Sequence, residues 1–92
     1  MISAEVVASV EELLKGRGLR QLPNEKLGDF VARGLNITPK QSNAFLSALN
    51  DGKSMEDACA IAGIDPNLPS AGLMVEIART VGAALGKIAS KL

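Results

Sequence analysis

Thr38-Pro39-Lys40-Gln41-Ser42-Asn43-Ala44-Phe45-Leu46-Ser47-Ala48-Leu49-Asn50-Asp51-Gly52 is the stretch that decides the fold. Its first four residues are a complete helix start. The Thr38 hydroxyl can accept the N3 amide, Pro39 takes the N1 position where no amide is needed, and Gln41 can reach back to the N–H of the cap. Ala44, Phe45, Ala48 and Leu49 then share one helical face with Leu46 beside it, and Asn50-Asp51-Gly52 ends the run. The pattern predicts a helix over 38–50.

Working outward, Ser54 with Asp57 three positions on is a second capping pair, opening a helix over 54–62. Gly63 is placed to close it, and Ile64 to fold back on the core. Toward the N-terminus, Pro23 or Asn24 opens a helix over 23–33 with Leu27, Phe30 and Val31 on one side, and Gly34 is set for a left-handed C′ position. Ser3 caps a first helix over 3–15 whose apolar positions are Val6, Val7, Val10, Leu13 and Leu14. The glycines of Gly16-Arg17-Gly18-Leu19-Arg20-Gln21-Leu22 make a loop that exposes its two arginines.

Pro66 and Pro69 fit one regular helix only in its first turn, so a last helix is expected from 69 to 91. Leu73, Met74, Ile77, Val81, Leu85, Ile88 and Leu92 keep helical spacing along it, and Ala78, Gly82 and Gly86 form a third stripe. Each interior glycine costs about 1 kcal/mol relative to alanine, so a use such as close approach of another backbone is expected.

The reading is all-α: a single helical domain over 1–92, five helices, with 1–67 as the helical core, a helix-turn-helix-like pair, and 69–92 as a long amphipathic C-terminal helix. The core is expected from Val10, Leu14, Leu27, Phe30, Phe45, Leu49, Ile61 and Ile64. Composition agrees. Of 92 residues 47% are apolar but only 2% aromatic, a mixture of Leu, Ile, Val, Ala and Met that favours helices over a β-sandwich. A chain this short buries only about 60–65% of its unfolded surface, so one core is the ceiling.

The chain has no His and a single Cys, which removes His general bases, Cys–His nucleophile pairs, Cys/His zinc sites and an internal disulfide. The adjacent carboxylates Glu11-Glu12 and Glu56-Asp57 read as solvated helix charges. A non-enzymatic protein without cofactor or metal is expected. No apolar run approaches the roughly 20 residues of a membrane span, and Met1-Ile2-Ser3-Ala4-Glu5 lacks the basic start of a signal peptide. Together with Cys59 in its apolar Ala58–Ala62 setting, this predicts a cytoplasmic location.

Formal charge is zero, ten Lys and Arg against ten Asp and Glu, but the charges are unevenly spread. Lys15, Arg17, Arg20, Lys26, Arg33 and Lys40 face only Glu25 and Asp29 within 15–40. Asp51, Glu56, Asp57, Asp65 and Glu76 face only Lys53 within 51–76. A basic surface of Lys15, Arg17, Arg20, Lys26, Arg33, Lys40 and Gln41 could therefore hold DNA phosphates, weakly and without base specificity.

Leu35-Asn36-Ile37-Thr38-Pro39-Lys40-Gln41, Phe45-Leu46, Asp51-Gly52-Lys53-Ser54, Asp57-Ala58 and Ala62-Gly63-Ile64-Asp65 together resemble the N-terminal DNA-binding segment of phage terminase small subunits. The resemblance spans about residues 35–65. It implies a homeodomain-like helix-turn-helix, selection of viral DNA for packaging, and a ring-forming oligomer. The residues at the base-reading position, Pro66 to Val75, have only Asn67 and Ser70 as polar side chains and read as core or interface.

Two functions are therefore expected, and they are compatible. The first is an assembly module, a homo-oligomer pairing through Leu73, Ile77, Val81, Gly82, Leu85, Gly86 and Ile88 of the last helix. The other is the DNA contact through residues 15–41. Whether the last helix pairs between chains or folds back onto the first two helices is left open by its spacing alone.

Overall fold

Three serine and threonine caps form as their spacing predicts. Ser3 Oγ accepts the Val6 amide at 3.3 Å, Thr38 Oγ1 that of Gln41 at 3.1 Å, and Ser54 Oγ that of Asp57 at 3.1 Å. The Gln41 side chain completes a capping box by accepting the Thr38 N–H at 3.1 Å. The computed structural model describes residues 2–90 and contains five helices: α1 Ala4–Gly16, α2 Leu27–Leu35, α3 Pro39–Asn50, α4 Met55–Ala62 and α5 Ala71–Ser90. No strand occurs among the described residues, so the fold is all-α. The expected end of the last helix at 91, and Leu92 of its stripe, lie outside the described residues.

α5 touches each of the other four helices and lies most extensively along α1, while α3 packs between α2 and α4. The core joins Val6, Val10 and Leu14 of α1 to Phe30, Val31 and Leu35 of α2 and Phe45, Leu46 and Leu49 of α3. Met74, Ile77, Val81 and Ala84 close it from α5. A buried hydroxyl sits inside: Ser42 Oγ donates to the Gly28 carbonyl at 2.6 Å, joining α3 to the start of α2.

α2 is shifted relative to expectation. It begins at Leu27 instead of 23, because Asn24 takes a left-handed φ of 63° and the Glu25 carboxylate accepts the Leu22 amide, which holds 22–25 as a turn. It runs through Gly34 to Leu35, and Asn36 supplies the left-handed residue at φ 58°. Gly34 is instead a packing glycine: a Cβ there would meet Leu19 Cδ1 at 3.1 Å.

Ile61 is also corrected. It is 59% exposed, because α4 turns the small residues Ala58, Cys59 and Ala62 inward and leaves Ile61 on its outer side. Ile64 does join the core. Gly63 adopts φ 70° and the Ile64 amide reaches Cys59 O at 2.9 Å, which folds the chain back as a Schellman-type end requires. The prolines then lead through a turn, in which Asn67 N–H donates to Asp65 Oδ1, to α5 at Ala71 instead of 69. Ser70 Oγ donates to Leu35 O at 2.9 Å and fixes the base of α5 against the end of α2.

Candidate interaction surface

The basic set predicted for phosphate contact is partly consumed by the fold. Arg33 makes a two-pronged contact with Glu25, Nε to Oε2 and Nη2 to Oε1, both at 2.8 Å, and Nη2 also donates to the Arg20 carbonyl at 2.6 Å. The guanidinium beside it holds the Glu25 carboxyl down to about 2. Gln21 reinforces the same loop by donating to Glu11 Oε2 at 2.7 Å and to Glu25 O at 2.9 Å. The loop after α1 is therefore pinned to α1 and α2.

Arg17 forms an ion pair with Glu76 of α5, Nη2 to Oε2 at 2.9 Å, although that buried oxygen accepts no hydrogen bond. Gln41 spends its amide on the capping box and on a 3.0 Å hydrogen bond to Gly63 O, tying the start of α3 to the end of α4. Lys15, Arg20, Lys26 and Lys40 are exposed. Of the seven residues, the structure brings Arg20 and Arg33 together and gives Arg17, Arg33 and Gln41 structural partners.

The predicted stripe on the last helix divides in two. Ile77 and Val81 are buried, 0% and 1% exposed, against the chain's own core, so they are not available to a second chain. The reason is α1: its Val6, Val10 and Leu14 need a cover, and α5 folds back along α1 to give it. Leu73, Leu85 and Ile88 are half-buried, and the first two pack on the core. Gly82 and Gly86 are exposed, and a Cβ added at either would meet nothing within 4 Å.

Gly82 lies in a groove of about 270 Å³ between α5 and the turn joining α3 to α4. Ala78, Gly82 and Leu85 line it from α5, and Leu49 and Met55 from the other side. The charged residues at its edge are Lys53 and Arg79. Neither Lys53 nor Met55 follows from reading α5 alone, which supplies Arg79 and the Ala78-Gly82-Gly86 spacing of this face. A second groove, of about 360 Å³, runs between α1 and α5 and is more polar, with Ser9, Glu12, Thr80 and Lys87 in its walls.

Among the described residues no three His, Cys, Asp or Glu side chains gather as metal ligands. Cys59 is buried, and desolvation pushes its thiol above the ordinary value, which suits a small core hydrophobe. No helix among the described residues is long and apolar enough to cross a membrane. Comparison with known proteins finds no matching family model, curated protein or solved structure.

Proposed function

We propose that this chain is a non-enzymatic interaction and assembly module that self-associates through its C-terminal helix. The contact face is the Ala78, Gly82 and Leu85 side of α5. The observation that carries the reading is Gly82. It has no positive φ, since the glycines that do are Gly18, Gly52 and Gly63, and no neighbour within its own chain would obstruct a Cβ. A glycine in a helix interior costs about 1 kcal/mol relative to alanine, and nothing inside the monomer requires it. Its place in an apolar groove gives it a use, because a backbone from outside can approach closely there.

Light scattering behind size-exclusion chromatography tests this on the wild type and on Gly82→Leu. Leucine is a good helix former and has open space at this position, so the variant stays folded while its side chain fills the groove. The expected result is an oligomeric wild type and a monomeric variant. A wild type that is monomeric at every reachable concentration overturns the reading.

Phosphate binding by residues 15–41, with the terminase-like helix pair, is the weaker alternative. It rests on Lys15, Arg20, Lys26 and Lys40, since Arg17, Arg33 and Gln41 already have partners in the chain. A generic DNA duplex added to the same chromatography at low salt reports on it directly. Co-elution abolished by moderate salt would favour it.

A further inference from the structure

Among the described residues, Leu22 and Ile61 are the large apolar side chains left exposed, and Ile61 alone of the two lies on a helix. It shares the outer side of α4 with Ala60, Glu56 and Asp57, all exposed. Among the described residues neither carboxylate has an ion-pair partner. α4 thus presents a face that is apolar toward its C-terminal end and acidic at its N-terminal end, with no cation on the helix itself.

The groove on α5 has the opposite character. Its walls are apolar at Leu49, Met55, Ala78 and Leu85, and the two charged residues lining it, Lys53 and Arg79, are both cations. Both are exposed, and among the described residues neither has an acidic partner. A chain cannot fill its own groove with this face, because Met55, the first residue of α4, is already part of the groove wall and the acidic face is on the other side of that helix.

We infer that the outer face of α4 from one copy seats in the α5 groove of another, with Ala60 and Ile61 against the apolar walls and Glu56 and Asp57 against Lys53 and Arg79. This rests on the self-association proposed above and adds which surface of the second copy occupies the groove. Charge complementarity sets the orientation, since only one direction of α4 brings its acidic end to the two cations. The bare backbone at Gly82 and the small side chain of Ala60 permit close helix approach.

The test is a charge swap followed by sedimentation velocity at low salt. Lys53→Glu with Arg79→Glu should weaken self-association roughly tenfold or more, and so should Glu56→Lys with Asp57→Lys, because each leaves like charges facing each other. All four changes in one chain restore the formal charge of the wild type and exchange the two signs, so association should return toward the wild-type level. Circular dichroism checks that each variant folds. Should a double variant lose helicity, Ile61→Ser probes the same contact at an exposed residue and should weaken association likewise. If Gly82→Leu abolishes association while both double variants and Ile61→Ser associate as the wild type does, the seating of α4 is wrong and the self-association reading stands. If the wild type never associates, both are wrong.

Discussion

Arg33 sets the conformation of the loop that precedes its own helix. Its guanidinium binds the Glu25 carboxylate and the Arg20 carbonyl at once, and Glu25 in turn accepts the Leu22 amide, so Arg20, Leu22 and Glu25 are tied together by one cation. The Arg33 side chain stays 44% exposed, so solvent screens the pair and keeps it modest in strength and sensitive to salt. The carboxyl lies at about 2 in the folded chain against an ordinary 4.5. A depressed carboxyl contributes stability that is present above its unfolded value and lost as pH falls through the folded one. Thermal melts should therefore show Glu25→Gln less stable than wild type at neutral pH, with the difference narrowing as pH drops from about 4.5 toward 2. A gap that persists unchanged at low pH would contradict the ion pair as its source. Two core residues give larger and smaller effects. Phe45→Ala should cost roughly 3–5 kcal/mol in a urea titration, because its ring is fully buried. Ser42→Ala should cost about 1 kcal/mol for the lost bond to Gly28 O. Phe45 was legible as core from its spacing; Ser42 was not, since a lone serine amid a helical pattern carries no sign of the carbonyl it will meet from another helix.

At the scale of the helices, what was legible was whatever the chain encodes within a few residues. Ser3, Thr38 with Gln41, Ser54, and Gly63 with Ile64 each satisfy a helix end from nearby, and each forms as its spacing implies. The start of α2 is not legible locally because it is decided from a distance, by Arg33 drawing Glu25 into a turn and by Asn24 accepting a left-handed conformation. Gly34 looked like a helix end and is in fact a close contact with Leu19 of the preceding loop. An apolar residue such as Ile61 reads as core, whereas α4 offers the core Met55 and its small residues Ala58, Cys59 and Ala62 and leaves Ile61 outside. In α5 the exposed glycines Gly82 and Gly86 yield a prediction with an unusual sign. Gly82→Ala and Gly86→Ala should each stabilise the dilute monomer by up to about 1 kcal/mol in chemical denaturation, since both sites are helical and open. Destabilisation by either would mean that the glycine serves the monomer itself.

For the whole molecule, the amphipathic stripe of α5 left its partner unspecified. Folding assigns most of it inward: α5 spans about 30 Å as twenty residues of helix and touches all four other helices, with Ile77 and Val81 sealed in the core. The groove that remains could not be read from the chain, because it joins residues 49–55 to 78–85 and collects Lys53 and Arg79 from opposite sides. The uneven charge distribution was legible, but its consequence was not: Arg17 and Arg33 are paired with Glu76 and Glu25 while staying exposed, and α4 keeps an acidic outer face. If copies associate at that groove, the apparent melting temperature should rise with protein concentration, as binding to the folded state requires, and Gly82→Leu should remove the dependence. The most direct test of the central claim is a dilution series of backbone amide NMR spectra on the wild-type chain. Concentration-dependent shifts or broadening are predicted for residues 52–61 and 78–86, while the buried side of α1 and the pinned loop at 17–26 stay constant. Spectra that do not change with concentration, or changes confined to residues 15–26, would contradict it.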